Sequence, residues 1–459
     1  MEYLGISFEL GNVPQLEPDF IPFAAWARAY LRGAGVPVSV AVEREGGKVT
    51  VRHTRIHGTA ELHDADRRYL ERYVKFLLWS VGGWRVYIRG ADALARELQR
   101  EYAPGGAREF DVQFMQDVYE RPFEIVVCEA GADFPAEHDS AVRIGGHTDG
   151  CRIGFDAGGS DRKVSAVVDG KVVYSEETVW LPKLSEDPQY QYDGILDSFR
   201  TAASKMPRVD AIGVSSAGVF IGNSPMVSSL FIKVPRSRRE EVKTIYDRAA
   251  AEIGAPIVVA NDGDVTALAG SMSLGVTGVM GLAMGTSEAV GYVDREGNVL
   301  GWFNELAFAP VDLNEHAMRD EWSGDLGVGC KYFSQDAVLK LAPAAGIELD
   351  KTLSLAEQLK QAQALMEQGD VRAEAIWRTI GCYLAHTLRL YADFYDIRHL
   401  LVLGRVVSGR GGEVLIDECR RVLREEYPEL TDIEVLLPDE KTRRVGQSVA
   451  AASLPQLGR

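Results

Sequence analysis

Four short stretches of this chain gather small, acidic and amide residues in ways that suit phosphate chemistry. The first is Asp156-Ala157-Gly158-Gly159-Ser160-Asp161-Arg162-Lys163, set between the apolar runs RIGF and VSAVV. A turn with two glycines and a serine can aim backbone N–H groups into a concavity that suits phosphate. Asp156 can hold a hydrated Mg²⁺, and Arg162 or Lys163 can offset phosphate charge. An ordinary glycine-containing turn has the same composition. The second, Met284-Gly285-Thr286-Ser287, also leaves an apolar strand, so a second small-residue hairpin would meet the phosphates from the opposite side. The third, Val259-Ala260-Asn261-Asp262-Gly263-Asp264, ends a strand and opens the helix VTALAGSMS. A carboxylate there can accept the proton of an attacking hydroxyl in phosphoryl transfer while an amide orients the alcohol. A plain Asp or Asn helix cap looks the same. The fourth, HLLVLGRVVSGRGGEVLIDE, reads as a buried strand, a small-residue turn and a helix. It could lay its backbone against a nucleotide base or serve only as a connection.

Positioning these stretches takes a layered α/β architecture, with ligands at the strand ends. RIGFDAGGS, KVSAVVDGKVVYSEET, DAIGVSSAG, PIVVAND and GVMGLAMGTS read as short apolar strands ending in small or acidic residues. GILDSFRTAASKM, REEVKTIYDRAAAEIG and AEAIWRTIGCYLAHTLRLYADFYD read as the helices between them. The first 150 residues read as a separate α/β unit. VPVSVAVE and KVTVRHTRI flank Gly46-Gly47 as a hairpin. DADRRYLERYVKFLLWS follows as a helix capped at Asp64 or Asp66, then GGWRVYIRG and FEIVVC as strands around the helix ADALARELQREY. The polar, glycine-rich stretch from Ala130 to Gly150 marks a boundary. No chemistry attaches to this unit.

The order of the motifs is more specific than any one of them. Phosphate hairpin, strand with SSAG, strand with Asn-Asp, second hairpin, long helix, strand with glycine and terminal helix VGQSVAAASL follow one another. This succession resembles the actin-like ATPase (ribonuclease H-like) fold of sugar kinases, most closely the ROK family of repressors, uncharacterised frames and kinases. The resemblance implies a two-lobed kinase domain over 149–459, with lobe I at about 149–262 plus the C-terminal helix and lobe II at about 263–445. Residues 1–148 would then be an accessory α/β domain. By the same resemblance, Asp156, Gly158, Gly159, Ser160 and Lys163 face ATP and Mg²⁺, as do Gly285, Thr286 and Ser287. Asp262 is the general base, and Asn261 touches the sugar together with Ser216, Gly218 and Glu305 (the last in FNELAFAPV). Gly404 and Arg405 lie at the adenosine end. Three positions depart from the family pattern. Phe308 replaces a histidine, Tyr332 replaces a second sugar-binding Glu, and WSGDLGVGCKYFSQD keeps only Gly329-Cys330 of a cysteine-rich zinc loop. One cysteine cannot supply the about four ligands of a closed zinc site, so no zinc is expected. Phe308, Trp322 and Tyr332 form either a stacking wall for a sugar ring or simple core.

The composition excludes other classes. Over 459 residues, 50 Lys and Arg face 67 Asp and Glu, a net charge of −17. Nucleic acids and anionic membranes call for a basic footprint that this chain lacks. Its five cysteines are scattered without a CxxC pair, which supports neither a disulfide framework nor a metal cluster. The opening residues lack the basic end and apolar run of a signal peptide, and no uncharged apolar stretch reaches the ~18 residues of a membrane span. A cytoplasmic protein is expected, working as a homodimer on a small sugar or polyol. The competing readings are a non-catalytic sugar-binding regulator of the ROK type and an ATPase activator of a reductive dehydratase, which would need a cluster-binding cysteine motif. His386, within an apolar helical run, reads as a core histidine, and RSRREE after Pro235 as a solvated helix start.

Overall fold

The apolar strand Cys151–Ala157 becomes the centre of a five-stranded sheet. The order across it is Ile257–Asn261, Ala211–Ser216, Cys151–Ala157, Asp161–Val168, Lys171–Val179. The first three strands run parallel, and the last two add on antiparallel. Parallel strands are covered on both faces, which is why Ala211–Ser216 is buried throughout. Phe155 packs on one face with Phe199 and Tyr246 of the helices Pro188–Ala203 and Ile245–Ile253. On the other face lies the C-terminal helix Gln447–Ala452. It lies so close that a Cβ at Gly154 or Gly213 would fall 1.7 Å from the carbonyl oxygens of Ser448 and Ala451. The structure, a computed structural model, describes residues 1–139, 144–438 and 446–458. Parts of the expected boundary stretch, of the end of lobe II and of the start of the terminal helix lie outside the described residues.

The second lobe repeats the plan. The hairpin Val279–Met284 and Glu288–Val293 is extended by the parallel strands His399–Leu403 and Glu434–Leu436. The helices Val371–Tyr391 and Arg410–Glu426 pack against each other beside this sheet. The helix Asp262–Leu274 joins the lobes, touching the second hairpin and the C-terminal helix. Among the described residues no helix is long and apolar enough to cross a membrane.

Residues 1–128 contain the expected hairpin, helix and strands in a four-stranded sheet ordered Val49–Ile56, Val36–Glu43, Arg85–Arg89, Glu124–Cys128. Helices Phe23–Gly33 and Glu109–Tyr119 add to the expected elements. The expected aspartate cap of the helix His63–Val81 is not made. Asp66 instead accepts the backbone N–H groups of His57 and Gly58, at 2.9 and 2.7 Å, and the Tyr30 hydroxyl at 2.5 Å. The unit is packed closely against the second lobe: one apolar cluster runs from Ile6 to Val435. Phe76 meets Phe394 at 4.3 Å between ring centres, and Trp79 meets Phe308 at 4.6 Å. Beside them Asp325 pairs with Arg72 at 2.9 Å, Lys75 at 3.2 Å and Arg108 at 2.6 Å, all buried. Against the cost of burial, these three charges hold the Asp325 carboxyl well below the usual carboxylate range. Helix Glu109–Tyr119 also reaches the first lobe, where Lys243 pairs with Glu120 at 2.5 Å and Arg239 donates to the Asp117 carbonyl at 2.6 Å.

Candidate active site

The first glycine turn is pinned from outside. The Trp180 indole N–H donates to the carbonyls of Gly158 at 2.7 Å and Asp161 at 2.9 Å. Gly159 leaves room for Lys183, since a Cβ there would come 2.9 Å from its Nζ. An ammonium thus sits beside the turn, from a residue that no local motif marks. Ser160 donates to Asp161 at 3.2 Å, and Lys163 stands opposite Asp156 in the strand register. Arg162 is committed elsewhere, to the Gly194 carbonyl and to Asp197 at 2.8 Å, so it does not serve phosphate as expected. Asp156 accepts from the Ser215 hydroxyl at 2.9 Å. Burial pushes its carboxyl up to about 6, with the negative charges of Asp262 and Asp161 adding and the Ser215 bond and Lys163 opposing.

Asn261 caps the helix Asp262–Leu274, accepting from the Gly263 N–H at 2.7 Å and donating to the Gly218 carbonyl at 2.8 Å. The cap reading therefore holds for Asn261, while Asp262 takes the first helical position. Burial raises the Asp262 carboxyl, against the Gly263 N–H bond and the Lys183 charge. Gln447, another residue without a sequence signature, donates to Ser215 Oγ at 2.9 Å and to the Asp262 carbonyl at 3.0 Å. The C-terminal helix thereby fixes the spacing between the first hairpin and the expected base. At the second hairpin, Arg405 donates to Thr286 Oγ1 at 2.7 Å. Gly404 has φ +98°, and a Cβ there would lie 2.4 Å from the Met284 carbonyl. The structure thus brings Thr286 together with Gly404 and Arg405.

A cavity of ≈ 430 Å³ opens beside Thr286, Ser287 and Gly218 and holds Glu305. Burial pushes Glu305 up to about 7, and the charges of Asp262 and Asp264 add to the shift. Phe308 and the 73 % exposed Trp322 line this cavity. Tyr332 does not: it is fully buried against Phe20 and Tyr383 and donates to Asp312 at 2.6 Å. Its place in the wall goes to Phe114, from the N-terminal unit. Ser216 also departs from expectation, being fully buried and accepting the Tyr246 hydroxyl at 2.8 Å. In the segment where the zinc loop would stand, the Lys331 ammonium lies 2.5 Å from Glu321, 2.6 Å from Asp336 and 3.8 Å from Asp320. His386 is a core residue as expected, bonded to the Tyr427 hydroxyl and the Asn12 carbonyl.

No protein-family model and no curated protein matches the chain. Solved structures do resemble it. The ROK hexokinase from Thermus thermophilus aligns with a TM-score of 0.51 and 18% identity, over 66% of this chain and 97% of that one. A ROK family glucokinase from Streptomyces griseus, in complex with glucose and AMPPNP, gives 0.44 and 19% over 66% and 98%. A ROK family transcriptional regulator, a homolog of the E. coli MLC protein, gives 0.48 and 17% over 66% and 78%. Two hairpin-led sheets joined through the Asp262 helix, together with the hexokinase likeness, give this chain the actin-like ATPase fold in the form found in ROK proteins.

Proposed function

We propose that this protein is an ATP- and Mg²⁺-dependent kinase that phosphorylates a hydroxyl of a sugar or sugar-like polyol. The observation that carries the reading is the position of Asp262. Gln447 ties its carbonyl to Ser215, which holds Asp156 beside the first glycine turn, and the neighbouring Asn261 donates to the carbonyl of Gly218, which lines the cavity with Glu305. The nearest match in fold among those above, by TM-score, is described as a hexokinase. Asp156 suits a hydrated Mg²⁺, since desolvation pushes this half-buried carboxyl up to about 6 and a cation held through water would offset that cost. Mg²⁺ bound through water there would neutralise charge on the phosphates. In the proposed step the acceptor oxygen attacks the γ-phosphorus in line, ADP leaves, and the hydroxyl proton passes to Asp262. The raised pKa of Asp262 makes it a better proton acceptor than an ordinary carboxylate. Lys183 faces the turn with an ammonium that offsets phosphate charge. A panel of hexoses, pentoses and polyols scored by coupled ADP release tests the reading. ATP binding without ADP release across the panel would overturn it in favour of a sugar-binding regulator.

A further inference from the structure

The acceptor cavity contains a carboxyl that, among the described residues, is satisfied at only one of its two oxygens. Glu288, directly after Ser287, is 4% exposed and lines the cavity with Glu305. Its Oε1 accepts the Tyr391 hydroxyl at 3.1 Å, while Oε2 is buried without a hydrogen-bond partner. Gly329 makes room for it, since a Cβ at 329 would lie 2.1 Å from Oε2. The groups facing it offer no counter-charge. Tyr391 and the Cys330 thiol are both held neutral by burial. Lys331 also lines the cavity, but three carboxylates, Asp320, Glu321 and Asp336, already surround its ammonium. Glu305 adds a second carboxyl and accepts no hydrogen bond from a protein cation. Burial pushes Glu288 up to about 8, against the Tyr391 bond, and the Glu305 charge adds to the rise.

Buried, unpartnered carboxyls are costly unless a ligand completes them. A neutral hydroxyl supplies one donor and leaves the acids to escape the cost of a buried charge by staying protonated. An ammonium supplies three donors and compensates both acids when they ionise, in a cavity that Phe308 and Phe114 also line. We propose that the acceptor substrate is an amine-bearing sugar or cyclitol whose ammonium sits between Glu288 and Glu305. This rests on the kinase reading above.

Titration calorimetry on the full chain at pH 7 tests it, with D-glucosamine, D-mannosamine and D-galactosamine as probes against D-glucose, D-mannose and D-galactose. At least one amine should bind about tenfold or more tightly than its hydroxyl parent. Its binding should release about one proton, read from buffers of different ionisation heat, because both acids must ionise around the ammonium. In Glu288→Gln the ratio of amine to parent affinity should fall at least about fivefold, a ratio insensitive to partial loss of folded protein. If that variant does not fold, the wild-type ratio and proton release decide alone. Equal affinity within all three pairs, no binding of any amine, or binding without proton release would overturn the proposal. ADP release with neutral hexoses and no amine preference would overturn it while leaving the kinase intact. Amine-selective binding with no ADP release from any sugar would keep the ammonium site and remove the kinase.

Discussion

Gly158-Gly159-Ser160-Asp161 and Gly285-Thr286-Ser287-Glu288 spell the same turn at a strand end in each lobe: glycine, a small residue, serine and an acid. In the first, pairing between the two hairpin strands stops at Ala157 and Arg162, so Asp161 pairs only outward, with Val179, and holds the Ser160 hydroxyl. In the second, Met284 pairs directly with Glu288, which is drawn into the ladder and buried. Where pairing stops decides whether the acid meets solvent or the interior. Their surroundings differ too. The first turn is open beside Lys183, whereas the second is clasped by Arg405 and by the Gln335 N–H on the Gly285 carbonyl. On the proposed reading, one sequence pattern thus serves a phosphate cradle in one lobe and, in the other, both a phosphate contact and a wall of the acceptor cavity.

The sharpest way to break this contrast is to remove the unit that walls only the acceptor side. Deleting residues 1–148 is expected to leave no folded protein, because it strips Phe76 and Trp79 from the second lobe and leaves Asp325 without its three cations. Removing the partners of a buried charge is strongly destabilising. A soluble fragment with a cooperative melt by circular dichroism would show that the second lobe stands alone. Next in size, Asp262→Asn should lower turnover by ~10² to 10⁴ while ATP binding persists, since it removes the group shared by both sides. Turnover within a few-fold of wild type would reduce Asp262 to a helix-start residue. Smaller effects should separate the sides. Phe114→Ala should raise the acceptor KM about tenfold, equivalent to about 1.4 kcal/mol, and leave the ATP KM alone. Arg405→Ala should raise the ATP KM by roughly threefold, or about 0.7 kcal/mol, and spare the acceptor. Crossed outcomes would end the two-sided description.

The smallest effect is on stability against pH. Asp264 and Glu305 are pushed up to about 7 and Glu288 to about 8, mainly by burial. Their folded pKa values exceed the unfolded ones, so their contribution is fully present below about 4 and lost as pH rises through 7 to 8. Tm should therefore fall by a few degrees between pH 6 and 8.5, and Glu288→Gln should flatten the decline. A Tm rising over that range would contradict the buried state of these acids.

On the proposed reading, the nucleotide side is the part whose signals lie closest together in the sequence. Its signals are local: glycine turns at strand ends, the Asn261 cap, and Gly404 where the backbone must approach Met284. The acceptor side is assembled from distant chain. Phe114 reads as one more apolar helix residue, and Glu288 looks like any strand acid. Beside the first glycine turn, Lys183 was unmarked too, since it only follows an exposed strand. Ser216 failed because its sheet strand is covered on both faces, which turns its hydroxyl to Tyr246. The apparent independence of the N-terminal unit has a similar cause. Glu71, Arg72 and Lys75 give the helix His63–Val81 a charged stripe that reads as a solvent face. Complementary charges on Arg108, Asp111 and Asp325 cover that stripe, so the helix is buried on nearly all sides. Periodicity reports polarity, and it cannot report that a polar face has a polar partner.

Lys331 carries a consequence for how this protein tolerates its surroundings. A loop closed by a metal and thiolates opens when a chelator takes the metal or an oxidant takes the sulfurs. Here the same stretch is drawn together by a covalently attached ammonium among Asp320, Glu321 and Asp336, and its single sulfur, on Cys330, is a buried thiol whose pKa is pushed far above the usual range. Its closure then needs no supply of trace metal. Its weak point is charge: Lys331 holds the Glu321 carboxyl below the usual range, and protonating that acid at low pH loosens the loop that borders the cavity, where EDTA or peroxide leaves it closed.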